Sequence, residues 1–183
     1  MGQAYIVAAV RTAGGKRGGR LSGWHPVDLA ARVLDALVER TGVDPAAVED
    51  VIMGCVGQAG EQSTNVGRNA VLASKLPESV PGTSVDRQCG SSQQALHFAA
   101  QAVMSGTMDI VIAAGVESMS RVPMNMPSAL PRKNDLGFYM SPGLRENYPD
   151  APEFSQFIGA EMIAQKYGLS RDMLDQYAFE SHQ

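Results

Sequence analysis

Cysteine and histidine are scarce: Cys55 and Cys89 are the two cysteines, and His25, His97 and His182 the three histidines, of a 183-residue chain. Without CxxC spacing or paired histidines, neither a metal site nor a disulfide scaffold is expected. Long hydrophobic runs are missing too. No apolar stretch approaches the roughly 20 residues of a membrane helix, and 44% hydrophobic with 19% charged residues suits a soluble globular protein. The N-terminal segment lacks the regions of a secretory signal or a transit peptide. Met1-Gly2 would suit myristoylation only with Ser or Thr at position 6, where Ile6 stands, so a cytoplasmic location is expected. Excess positive charge is also absent, the formal net charge being −4. Small molecules or other protein subunits, rather than nucleic acid or membrane, are therefore the expected partners.

What the chain does contain is alternation. Residues 4–10 form a wholly apolar run, the pattern of a strand buried on both sides. The glycine-rich residues 11–20 read as a flexible loop, because neither Ser nor Thr follows Lys16 and no helical pattern begins there, as a phosphate cradle requires. Pro26 opens an amphipathic helix over 27–40, with Leu29, Val33, Leu34, Leu37 and Val38 on one face and Gly42 as its cap. Asp44-Pro45 starts a very short helix before a buried strand at 51–56. A helix over 65–76, a strand at 83–86, a helix over 90–105 and a strand at 109–115 follow. Cys55, inside an apolar run, reads as a small buried hydrophobe.

The order strand, helix, strand, helix, strand, helix, strand predicts an α/β fold with a mostly parallel mixed sheet and helices on both faces. Residues 1–120 make up this domain. After Glu117, six of the ten prolines fall within about thirty residues, which predicts an irregular excursion. Its aromatic and methionine content suits packing better than a free linker. Two helices over 155–167 and 170–182 complete a second region, 121–183, with Ser170 as a cap.

Cys89 carries the chemical argument. It stands in Asp86-Arg87-Gln88-Cys89-Gly90-Ser91-Ser92, where a strand hands over to a helix, at the end of a parallel sheet where ligands bind. Backbone N–H groups and the positive end of a helix dipole favour thiolate over thiol there. Gly90, Ser91 and Ser92 let an acyl group approach the backbone N–H groups, which can face an oxyanion. A base is harder to find. His97 lies about 12 Å along the same helix, too far to act directly on Cys89.

The segment Asp86-Arg87-Gln88-Cys89-Gly90-Ser91-Ser92-Gln93-Gln94-Ala95 resembles the acyl-enzyme segment of the thiolases. Matching motifs occur in the order that family shows: Val10-Arg11-Thr12, Gly54-Cys55-Val56 with Gln58-Ala59-Gly60, Asn65 with Arg68, Val80-Pro81, and Ala114-Gly115-Val116-Glu117-Ser118-Met119-Ser120. The resemblance covers the whole chain and is greatest to the degradative 3-ketoacyl-CoA type. It implies that Cys89 is the nucleophile that becomes the acyl-enzyme, with its own backbone N–H as an oxyanion donor. It further implies coenzyme A as co-substrate with no other cofactor, acyl-CoA as ligand, and a homodimer or tetramer. The family's Gly-His-Pro, Cys-x-Gly and Asn-containing segments are not in this sequence, so an N-terminal half, inactive alone, is expected.

The second region resembles the first part of the loop domain that covers the CoA pocket. Phe157-Ile158-Gly159 stands where many biosynthetic relatives carry His-Met-Gly. Phe157 and Ile158 are accordingly the candidates for an acyl or CoA pocket, and they lean toward larger acyl chains, alicyclic or steroid-derived. Three other readings stay open: a biosynthetic acetoacetyl-CoA thiolase, a non-catalytic thiolase-like domain that joins intact subunits, and a ketoacyl synthase. Glu117-Ser118-Met119-Ser120 argues against the last. For Glu117 and Asn65 buried hydrogen bonding near a dimer contact is expected, rather than catalysis.

Overall fold

The computed structural model describes residues 2–183. Three parallel strands form its sheet: β1 (Asp50–Gly54) in the middle, β2 (Gly82–Val85) on one side and β3 (Val111–Gly115) on the other. Register is set by the pairs Val51 with Gly82 and Val51 with Ile112.

The period of a strand assigns its side chains to two faces. Val51, Met53 and Cys55 point to one face and join Leu34 of α1 (Pro26–Thr41) and Val66, Ala70 and Val71 of α2 (Val66–Ala73) in the main core. Ile52 points the other way and meets Ala95 and Ala99 of α3 (Ser91–Ser105). Each fully buried aliphatic side chain here contributes about 1.5–3 kcal/mol. Helices therefore cover both faces of a parallel sheet, as the alternation predicts.

Cap chemistry ends the helices where the sequence places them. His25 Nδ1 accepts the Val27 N–H at the start of α1, and Gly42, at φ +65°, ends it by donating its N–H to the Val38 carbonyl. Asp44 caps a 3-10 turn at Pro45–Ala47. The helix expected over 65–76 is shorter, because Ser74 turns to extended backbone after Ala73.

Two expectations fail. Residues 4–10 form no strand and pair with neither outer edge of the sheet, and Tyr5, Ile6 and Val7 lie exposed. An apolar run supplies side chains for a strand, but a ladder also needs the backbone brought into register with an edge, which an apolar pattern does not specify. The excursion after Glu117 is also less irregular than expected, since α4 (Met126–Lys133) and α5 (Pro142–Asn147) occur within it. Pro127 and Pro142 sit in the first turns of these helices, where a missing N–H costs nothing.

The chain divides into two compact units, the first running to Leu136 and the second being Gly137–Gln183, whereas the sequence places the change near residue 120. In the second unit the Phe154 ring packs edge-on against Tyr148 with centroids 5.2 Å apart, and the Phe154 N–H donates to the Tyr139 hydroxyl at 2.8 Å. Two further helices, α6 (Gln156–Tyr167) and α7 (Arg171–Ser181), are capped by Ser155 and Ser170.

Candidate active site

Cys89 is exposed on the turn between β2 and α3, a free thiol at the carboxyl end of the sheet. The turn is held at each step. Asp86 Oδ1 accepts the Gln88 N–H at 2.8 Å, and the Gly90 N–H donates to the Arg87 carbonyl at 3.1 Å. Gln88, immediately before the cysteine, adopts φ +49°, a left-handed conformation that costs a non-glycine residue roughly 1–2 kcal/mol. Strain of this kind beside a reactive side chain is maintained only where surrounding contacts over-determine it.

Helix α3 begins at Ser91 with Gly90 as its N-cap and no side-chain hydrogen bond across its first turn. The Ser91 N–H turns back to the Gln88 carbonyl, and the Ser92 and Gln93 N–H groups that follow have no intrahelical partner and remain available beside Cys89. Two glycines bring this helix end onto the sheet. A Cβ on Gly115 would lie 2.7 Å from Ser92 Cβ, and one on Gly54 would lie 2.4 Å from the Ser92 backbone nitrogen.

Past the carboxyl ends of β1 and β3 lies a polar bracket between two loops. The Glu117 carboxylate accepts the Val56 N–H at 2.8 Å, the Gly57 N–H at 3.2 Å and Gln62 Nε2 at 2.9 Å. Gln62, fully buried, completes the bracket by accepting the Ser118 N–H at 2.7 Å and donating to the Gly57 carbonyl. Glu117 thus makes structural hydrogen bonds, as expected, but from an exposed position rather than a buried one. Gln62 is missing from the sequence reading, and a buried glutamine in a polar Gly-Glu-Gln-Ser string leaves no signal to find it.

Asn65 also makes structural hydrogen bonds, and it too is exposed rather than buried. At φ +59° it accepts the Arg68 N–H and the Ser84 hydroxyl, and donates to the Gly82 carbonyl at 2.8 Å. It ties the start of α2 to β2, the strand that leads to Cys89.

Cys55 is buried, and its thiol is pushed up to about 12, first by burial and then by the negative charges of Glu117 and Asp86. A thiol in that state is no nucleophile. None of the histidines is recorded bonding to Cys89: His25 caps α1 and lies 3.8 Å from Glu61, which pairs with Arg121, while His182 ends α7. Among the described residues no group of His, Cys, Asp and Glu could hold a metal ion. Phe157 and Ile158 lie on α6, 67% and 45% exposed.

The site is thus an exposed cysteine on a strained strand-to-helix turn, next to uncapped backbone N–H groups, in an α/β domain: an arrangement suited to covalent acyl transfer. The family signature described as Thiolase, N-terminal domain, matches residues 4–183, and the chain belongs to the thiolase family.

Among its relatives, a steroid 3-ketoacyl-CoA thiolase of Mycobacterium tuberculosis is 50% identical over 187 residues, an alignment covering 100% of this chain and 45% of the relative. The 3-ketoacyl-CoA thiolases of Erwinia tasmaniensis and Pseudoalteromonas translucida are 41% and 40% identical, with the same coverage. The chain spans less than half the length of the curated relatives it matches.

Proposed function

We propose that this chain is the nucleophile-bearing N-terminal part of a 3-ketoacyl-CoA thiolase. In this reading the Cys89 thiolate attacks the 3-keto carbon of a 3-ketoacyl-CoA. The bond between carbons 2 and 3 then breaks, the electron pair leaves with the acetyl-CoA fragment, and that carbanion takes up a proton. The thiolate of a second coenzyme A attacks the Cys89 thioester, expelling the Cys89 thiolate and carrying off an acyl-CoA shorter by two carbons. Splitting one difficult carbon–carbon cleavage into two exchanges at sulfur is the gain from a covalent intermediate. The observation that carries the reading is the exposed Cys89 on its strained turn at the uncapped start of α3.

Coenzyme A enters as co-substrate, and no other cofactor is required. The region after residue 120 acts as the beginning of a domain that covers the CoA pocket, with Phe157 and Ile158 facing acyl or CoA groups. Apolar residues at these positions, together with the steroid substrate in the name of one relative, favour bulky acyl chains over acetoacetyl-CoA. A homo-oligomer in the cytoplasm is the assembly proposed. The edge position of β2 supports self-association, and among the described residues no helix is long and apolar enough to cross a membrane.

The test is mass spectrometry of the protein extended by the C-terminal segment its relatives carry, after incubation with a 3-ketoacyl-CoA. A two-carbon-shortened acyl group on Cys89, absent from Cys89→Ala, is expected. Full thiolysis by Cys89→Ala, or an acyl group on another residue, refutes the reading.

A further inference from the structure

The peptide that joins Gln88 to Cys89 is where the structure says more than the chemistry above uses. A trans peptide is planar, so its carbonyl and its N–H point in opposite directions. Whatever holds the Gln88 carbonyl therefore also aims the Cys89 N–H.

Ser91 holds it twice. The Ser91 hydroxyl donates to the Gln88 carbonyl at 2.5 Å, and the Ser91 N–H donates to the same oxygen at 3.0 Å. The hydroxyl oxygen in turn accepts the Arg87 N–H at 2.9 Å. Its one proton and one of its lone pairs are thus committed to the two residues before the nucleophile, from a position two residues after it. The side chain is 4% exposed and, with Gln62, is one of the two buried polar residues among those described. Burial keeps water from exchanging for either bond.

These bonds also account for how Gln88 stays at φ +49°. A left-handed residue relaxes when nothing opposes it, and two bonds onto its own carbonyl oppose it directly. Asp86, bonded to the Gln88 N–H at 2.8 Å, holds the other end of the same residue.

We propose that Ser91 is a positioning residue, whose hydroxyl locks the Gln88–Cys89 peptide so that the Cys89 N–H is aimed to donate to the thioester carbonyl oxygen of the acyl-enzyme. The inference rests on the acyl-enzyme reading above. Ser91 touches neither substrate nor sulfur, and it acts by keeping a donor aligned while negative charge develops on that oxygen. Removing an oxyanion donor outright costs about 100- to 1000-fold in kcat, so loosening one is expected to cost roughly 10- to 100-fold.

The experiment compares wild-type and Ser91→Ala proteins, each extended by the C-terminal segment the relatives carry, by thiolysis kinetics and by infrared spectroscopy of the acyl-enzyme bearing a carbon-13 carbonyl. In Ser91→Ala, kcat is expected to fall by ~10- to 100-fold with KM little changed, and the thioester carbonyl stretch to move to higher frequency as its hydrogen bond weakens. Alkylation of Cys89 by iodoacetamide, which forms no oxyanion, is expected to keep close to its wild-type rate. Ser91→Thr, which retains the hydroxyl, is expected to restore the wild-type stretch. An unchanged carbonyl stretch and kcat in Ser91→Ala overturn the proposal. If Ser91→Ala does not fold, Ser91→Cys replaces the hydroxyl with a poor hydrogen-bonding group of similar shape, and wild-type behaviour there overturns it equally. Absence of any acyl group on wild-type Cys89 refutes the thiolase reading instead, which separates the two failures.

Discussion

Gly54, the last residue of β1, lies against the first turn of α3 so closely that a Cβ there would sit 2.4 Å from the Ser92 backbone nitrogen. This approach sets the end of the helix, and Cys89 just before it, on the carboxyl end of the central strand. Gly54→Ala is expected to destabilise the domain by about 2–3 kcal/mol, the range for overpacking against rigid backbone. Gly115→Ala, opposed by the Ser92 side chain at 2.7 Å, should cost less. Urea denaturation of the three proteins checks the order, and equal midpoints would show that the helix start can move away.

The two cysteines should behave oppositely toward iodoacetamide. Cys89 is exposed, whereas Cys55 is buried and pushed up to about 12. Near pH 8 one equivalent of label is expected, on Cys89, with Cys55 labelled only after denaturation. Peptide mass spectrometry reads this out.

Cys55 also carries a linkage effect of definite sign. Its folded value of about 12 lies above the ordinary thiol value, so rising pH ionises the thiol first in the unfolded chain. Its contribution to stability is complete below the ordinary thiol value and is lost as pH climbs toward 12. Cys55→Ala should flatten that alkaline decline in a series of denaturation midpoints, at the cost of a small cavity.

The bracket around Glu117 yields a stability prediction. Glu117→Ala strands the Val56 and Gly57 N–H groups and one hydrogen of Gln62, with an expected loss of about 3 kcal/mol. Glu117→Gln keeps an acceptor oxygen and should lose less. Thermal denaturation followed by circular dichroism tests the ranking, and an alanine variant as stable as wild type would count against the bracket.

At the other end of the sheet, the Glu49 carboxylate accepts the Asp109 and Ile110 N–H groups, which hold it below the usual carboxylate range. A lowered folded value means that its contribution is present above the ordinary carboxylate value and is lost as pH falls through the folded one. Glu49→Gln, with no charge to titrate, is expected to show a shallower acid limb in stability against pH.

Much of this was legible in the residues. Pro26 and Gly42 bound α1, Ser155 and Ser170 open α6 and α7, and Asp44 caps its turn, because a cap is a local hydrogen bond that one residue supplies to a neighbour. The apolar run at 4–10 misled for the opposite reason: strand formation depends on a pairing partner, and nothing in seven residues says which edges are free. Gln62 and Ser91 escaped notice because their bonds reach backbone groups that only the folded loops bring near. Ser91 in Cys-Gly-Ser-Ser reads as a small residue that makes room, whereas its hydroxyl spans the turn.

The sequence by itself determined most of the alternation of helices and strands, the family, and the choice of Cys89 as the candidate nucleophile, since each of these resides in residue type and spacing. Tertiary structure alone decided that β1 is central, that residues 4–10 stay outside the sheet, and that the Gln88–Cys89 peptide is held in a left-handed turn by Ser91. These depend on which backbone groups remain to be paired once the chain is compact, and hydrogen bonds between distant segments exist only after folding has brought them within reach.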